Sequence, residues 1–182
     1  MIRLNNIKLC TSRLDIIPLS MSRLLMYSTF DYLLEEELGV IKHKRVLPSE
    51  LTYTLGQFMV PYVTQHPQQI LFGTLWVIID RNTNIIVGDV GFKGEPSNHG
   101  LVEIGYGIYP NFENMGIMTE ALQCMIIWAF QQPKVDIIVA ETDKSNLSSQ
   151  KVLTKTKFSP FAETESAYWW RLDKDVVSAL VS

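Results

Sequence analysis

Leu101-Val102-Glu103-Ile104-Gly105-Tyr106-Gly107-Ile108-Tyr109 leads into Pro110-Asn111-Phe112-Glu113-Asn114-Met115-Gly116-Ile117-Met118-Thr119, and then into an apolar stretch that ends at Gln131. The first run predicts a strand over 101–109, stopped by Pro110. Residues 116–131 carry Ala121, Leu122, Met125, Ile126, Ile127, Trp128, Ala129 and Phe130. A helix apolar on most sides is a buried one, and Pro133 ends it. Residues 135–140, apolar but for Asp136, read as the kind of strand found inside a sheet. A strand, helix, strand succession joins parallel neighbours through a crossover that is nearly always right-handed. This unit therefore puts one parallel pair near the centre of a sheet.

Outward from that unit the pattern is antiparallel. Residues 71–79 and 85–92 are β-rich runs joined by Asp80-Arg81-Asn82-Thr83-Asn84, which predicts a hairpin. Residues 94–100 form a polar loop into strand 101–109. Residues 8–19 predict an opening strand that ends at Pro18. Leu24, Leu25, Tyr27, Phe30, Leu33 and Leu34 predict a helix over 20–37 whose end, Glu35-Glu36-Glu37, is solvated. A second helix runs from about 48 to 65, with Pro61 expected to kink or end it. Residues 146–156 predict a short helix, 158–164 and 167–172 two last strands, and 173–182 a helical tail. The reading is a single domain over residues 1–182: an α/β fold with a mixed, mostly antiparallel central sheet, one parallel pair, and helices on its faces.

Composition excludes several function classes. The 182 residues are 47% hydrophobic and 19% charged, which supports a sizeable core and excludes disorder of the whole chain. A net charge of −3 argues against a generally basic nucleic-acid binder. Cys10 and Cys124 stand far apart with no metal-ligand spacing, so no zinc site is expected and a reducing cytoplasm is. No apolar run is long enough to cross a membrane, and residues 1–6 lack the pattern of a signal peptide. Residues 71–140 hold 3 basic and 7 acidic side chains, a balance that suits a cationic ligand such as an amine as well as it suits chance surface carboxylates.

The linker 110–119 carries the chemistry. A helix N-terminus offers unpaired N–H groups and the positive end of the helix dipole, a ready anion site, and Gly116 lets the backbone approach a ligand closely. A glycine before a helix is also an ordinary turn, and on the loop alone both readings stand. Neither GxxxxGK[ST] nor GxGxxG is present, which argues against P-loop and dinucleotide folds.

Residues 102–110, the loop, and Met118-Thr119-Glu120-Ala121-Leu122 together resemble the core motif of the GNAT N-acetyltransferase superfamily. So do Ala140-Glu141-Thr142-Asp143-Lys144-Ser145-Asn146 and the following Ser149, Val152-Leu153, Lys155 and Phe158. Thr11-Ser12-Arg13-Leu14 and Pro18-Leu19 resemble the branch that includes ribosomal-protein N-terminal acetyltransferases. The resemblance is dense over 70–172 and looser over 8–70. Three positions depart from the family pattern: Glu113 where Gln or Arg is usual, Met118 where Gly or Ala is usual, and Lys157 where Gly often precedes the Phe.

The resemblance implies that acetyl-CoA is the cosubstrate and lies where the parallel strands splay. It assigns the pantetheine arm to the backbone of Ile108 and its neighbour Tyr109, and the pyrophosphate to the amides of Asn114, Met115, Gly116, Ile117, Met118 and Thr119. Asn146 then hydrogen-bonds the pantetheine. Lys144, Lys151, Lys155 and Lys157 stand either near the nucleotide phosphate or, for most of them, as solvated helix and turn lysines. Glu103 is the implied general base, with a strand ion pair as its alternative. The Tyr that many members carry seven positions after the Asn is Leu153 here, which leaves Ser149 as the candidate acid or as a plain helix serine. His99 is read as a solvated loop residue, Cys124 as a core thiol, and Trp169-Trp170 as one core ring and one acceptor-edge ring. The expected function is direct acetyl transfer from acetyl-CoA to a primary amine of a small molecule or protein N-terminus. The alternatives are a CoA-binding module without catalysis and an acyltransferase using another acyl-CoA. No nucleic acid, membrane or metal is expected, and monomer and homodimer both stay open.

Overall fold

One sheet runs through the computed structural model, which describes residues 7–29, 31–45 and 47–181. Its strands are β1 (Leu9–Cys10), β2 (Leu14–Pro18), β3 (Leu75–Asp80), β4 (Ile85–Phe92), β5 (Leu101–Ile108), β6 (Ile137–Asp143), β7 (Ser159–Glu163) and β8 (Ala167–Asp173). They lie in the order β1-β2-β3-β4-β5-β6-β8-β7. Every neighbouring pair is antiparallel except β5 and β6, which α6 (Ile117–Phe130) connects. This is the mixed sheet with one parallel pair that the strand–helix–strand unit predicts.

Each face of the sheet has its own core. On one face α6 presses Ala121, Leu122, Met125 and Trp128 onto Trp76, Val90, Phe92, Val102 and Ile104, with α7 (Leu147–Lys155) alongside. On the other, Val77, Ile79, Ile86 and Tyr109 are covered by Leu24 and Tyr27 of α1 (Met21–Ser28), Leu34 of α2 (Leu33–Leu38) and Val63 of α4 (Val60–Gln65). The chain continues through α3 (Ser49–Thr54) and α5 (Ile70–Gly73) before the hairpin, and ends in α8 (Lys174–Val181).

Four predicted elements differ from those observed. The opening strand is two strands, because the Thr11 hydroxyl accepts from Leu14 N at 2.9 Å and turns the chain. The helix over 20–37 is two helices. Arg45 takes the carbonyls of Tyr27 and Thr29 at 2.6 and 2.9 Å, satisfying the end of α1, and Tyr32 then adopts a φ of 61°. Glu35, expected in solvent, is 1% exposed and pairs with Arg45 Nε at 2.9 Å. Pro61 does not end its helix. A π-helical turn over Leu55–Met59, in which Val60 N–H reaches back to Leu55 O, widens the backbone just before it and spares the proline a carbonyl clash. The run from Leu71 opens as helix α5, and the strand starts at Leu75; a continuous apolar run carries no period that separates the two.

Candidate active site

β5 and β6 pair at three positions only, Leu101 with Ile137, Val102 with Ile138 and Glu103 with Val139. Beyond Glu103, β5 pairs with β4 through Phe92↔Ile104 to Gly88↔Ile108. Over the same stretch β6 pairs with β8 through Ala140↔Trp170 to Asp143↔Ala167. The parallel pair thus splays into a V, and the facing edges of Ile104–Ile108 and Ala140–Asp143 are left without a strand partner. An unpaired edge recognises an extended, amide-bearing chain by strand addition.

The loop from Pro110 to Gly116 stands at the wide end of the V. Gly116 is the N-cap of α6 with φ 74°, and Asn114 has φ 59°. No side chain caps the helix, so the N–H groups of its first turn face outward from an exposed loop. Met118, one of the departures from the family pattern, is 5% exposed and packs in the core instead of covering those amides. Arg13 lies beside the loop: Nη1 donates to Met115 O at 3.2 Å, and Nη2 is 3.7 Å from where a Gly116 Cβ would stand. Its Nε donates to Glu120 Oε2 at 2.8 Å. Burial pushes the Glu120 carboxyl up, but donors from Thr11, Arg13 and Ser12 outweigh it and bring the pKa down to about 2. The Thr-Ser-Arg segment is therefore a clamp on the start of α6, a role its sequence does not announce.

Across the V, Asn146 Oδ1 accepts from Ser149 N at 3.0 Å and caps α7. Ser149 Oγ is 2.7 Å from the Tyr106 hydroxyl, which spans from β5 to α7. Burial raises the Tyr106 pKa to about 12 against the opposing effect of its Ser149 bond. Tyr106 was not singled out in the sequence; its only signal is its place on a strand facing α7. Leu153 is fully buried and offers no hydroxyl. Lys144 pairs with Glu163 at 3.2 Å, and Lys151 and Lys155 border a shallow cavity beside Trp170. Trp170 is 7% exposed and donates to Thr142, Trp169 is half-buried, and His99 lies exposed on its loop.

Glu103 sits at the apex of the V, partly buried and ion-paired with Lys93 of the segment after β4. Tyr109 is not brought to the gap. Its N–H donates to Val87 O at 2.9 Å, its carbonyl accepts from Phe112 N at 2.8 Å, and its ring enters the helical face. There its hydroxyl is 3.0 Å from that of Tyr27, which donates to Asp89 Oδ2 at 2.8 Å. Asp89, also absent from the sequence reading, lines a cavity of about 220 Å3 between the sheet and α3. The signal was a single charge inside Ile-Ile-Val-Gly-Asp-Val-Gly-Phe, an otherwise apolar strand.

Comparison with known proteins agrees with this geometry. The chain is 37% identical over 83 residues to the uncharacterized N-acetyltransferase YjdG of Bacillus subtilis, a match that covers 46% of this chain and 49% of that one. The chain thus spans about half the length of the curated relatives it matches. A ribosomal L7/L12 α-N-protein acetyltransferase in complex with coenzyme A superposes with TM-score 0.65 at 15% identity, over 92% of this chain and 98% of that one. A dodecameric spermidine N-acetyltransferase from Vibrio cholerae superposes with TM-score 0.67 at 11% identity, over 94% and 100%. Residues 44–159, well over half of the chain, match the acetyltransferase (GNAT) domain family. With the splayed β5–β6 pair and the uncapped start of α6 in place, the chain belongs to the GNAT acetyltransferase family.

Proposed function

We propose that the protein is an N-acetyltransferase that moves the acetyl group of acetyl-CoA directly to a primary amine. The observation that carries this reading is the splay of β5 from β6 after Glu103, with an uncapped helix N-terminus at its open end. A pantetheine arm carries amide groups along an extended chain, and a pyrophosphate carries two negative charges. An unpaired strand edge and a set of free backbone amides fit those two parts, in that order along the gap. On this reading Ile108 and its β5 neighbours and Asn146 hold the pantetheine, and residues 114–119 hold the pyrophosphate.

Bound acetyl-CoA supplies an activated acyl group; the rest is done by side chains of the protein. A protonated amine must lose a proton before it attacks, and on this reading Glu103, at the apex of the V, takes it directly or through water. Lys93, its ion-pair partner, must yield part of its contact when the amine enters. Ser149, oriented by Tyr106, delivers a proton to the departing sulfur. A thiol has a pKa near ~8.5, so this acid is asked for less than the base is. The cytoplasm, where the free thiols Cys10 and Cys124 persist, is the matching compartment.

The test is thiol release from acetyl-CoA across a panel of peptides and small amines, with the mass of each product. Amine-dependent thiol release with a +acetyl product supports the reading. Binding of CoA by calorimetry with no turnover on any amine replaces it with a CoA-binding module, and preference for propionyl- or succinyl-CoA replaces the acyl donor.

A further inference from the structure

The cavity on the helical side of β5 is made by absent side chains. Its floor is Gly91, Gly105 and Gly107, its walls include Leu51 and Met59, and Asp89 stands at one end. Asp89 faces Gly107 across the β4–β5 ladder, so a side chain at 107 would lie against it; a Cβ there would be 3.6 Å from Oδ1. Glycine therefore opens the way from the carboxylate to the gap. The opposite end of the floor is the Glu103–Lys93 pair, four residues along β5, or about 13 Å at the rise of an extended strand.

Asp89 is unusual in its partners. It is 4% exposed, and the hydrogen bond it receives is the neutral hydroxyl of Tyr27. Among the described residues no Lys or Arg pairs with it. Arg45 lies over the Tyr27 ring, 5.0 Å from its centroid, and is taken by Glu35. A buried carboxylate without a cation is costly, and a cation entering the cavity removes that cost. The glycine floor and the leucine and methionine walls admit an unbranched methylene chain and offer it apolar contact.

We propose that the acceptor is a slender dication, and that Asp89 holds its second positive group at the end of the glycine-floored cavity while the reacting nitrogen lies at the Glu103 end. This deepens the acetyltransferase reading and rests on it. It makes Asp89 a specificity residue: it selects acceptors with a charge at both ends over monoamines of equal length. Burial raises the Asp89 pKa to about 7, the Tyr27 bond opposing. Binding of the second charge therefore weakens as the pH falls through about 7. The titratable and charged groups around Asp89 are Tyr27 from α1, Tyr109 after β5, Arg45 and Glu35 behind Tyr27, and Lys93 at the far end of the floor. Both tyrosines are held protonated far above this range, chiefly by burial, so the carboxyl is the group that titrates.

The experiment is calorimetry of α,ω-diaminoalkanes and n-alkylamines of matched length on the whole chain, without CoA, at pH 6 and 8. Expected are a preference for one diamine over its monoamine, weaker binding at pH 6, and a 10- to 100-fold loss of diamine affinity in Asp89→Asn with the pH dependence gone. Asn keeps an acceptor for Tyr27, so the fold is retained. Gly107→Ala, whose methyl would meet the Asp89 carboxylate only at ordinary contact distance, provides a second variant and lowers diamine affinity by narrowing the approach while the carboxylate itself is kept. The proposal is overturned if wild type shows no preference for any diamine, or if both variants bind it as wild type does. CoA calorimetry on the same sample separates the failures: CoA binding without diamine preference removes only this inference, and loss of CoA binding removes the acetyltransferase reading.

Discussion

Arg13 Nε donates to Glu120 Oε2 at 2.8 Å, joining residues 107 positions apart and tying the β1–β2 corner to the first turn of α6. Arg13 also reaches Met115 O, so the loop proposed to bind pyrophosphate is held from outside by a residue of the opening segment. Arg13→Ala is expected to weaken CoA binding by about 10-fold or more, since it removes a charge beside the anion and frees the loop. CoA calorimetry checks this; unchanged affinity would make Arg13 a purely structural clamp.

The same pair sets an acid limit on stability. The Glu120 pKa is about 2 in the folded chain, below its ordinary carboxylate value, so the stabilisation is present at neutral pH. It is lost as the pH falls from about 4.5 toward 2. Glu120→Gln is expected to lower the melting temperature at pH 7 and to narrow its gap to wild type by pH 3. A constant gap across that range would show that Glu120 acts through packing alone.

Glu113 is exposed in a loop read as binding pyrophosphate. Glu113→Gln is expected to tighten CoA, and Gly116→Pro to abolish its binding. At Gly116 φ is 74°, which proline cannot adopt; even Gly116→Ala carries a left-handed strain of about 1–2 kcal/mol. Weaker CoA binding in Glu113→Gln would give that carboxylate a positive role.

Glu103→Gln is expected to lower turnover by about 10²–10⁴-fold with acetyl-CoA affinity unchanged. Ser149→Ala is expected to cost less than about 10-fold, because the thiolate leaves readily. Steady-state rates with an identified acceptor check both. Retention of more than a third of wild-type turnover in Glu103→Gln would leave Glu103 only its ion pair with Lys93.

Lys157 closes α7 with φ 72°, the conformation in which glycine is favoured after a helix. This accounts for the family's habit of placing Gly there. Lys157→Gly is expected to stabilise the protein by up to about 1 kcal/mol, after part of the relieved strain is offset by a more flexible unfolded chain. Denaturant unfolding measures it, and a destabilised variant would refute the strain argument.

Local pattern alone determined the parallel crossover, the buried helix α6, the β3–β4 hairpin and Gly116 at the helix start. Each is written in periods, turns or a φ requirement of segments shorter than about 20 residues, the crossover as a succession of three such segments. The tertiary structure decided what depends on distant partners. Where the parallel pair ends is set by the pull of β4 on one strand and β8 on the other. Glu35 was legible only as a charge at a helix end, and Arg45, ten residues on, makes it a buried one. Asp89 is a lone charge in an apolar strand until Tyr27 from α1 and the missing side chain of Gly107 give it a hydrogen bond and an open approach. Periodicity records which way a side chain points; which opposite charge or empty space it meets there is fixed only when the elements pack.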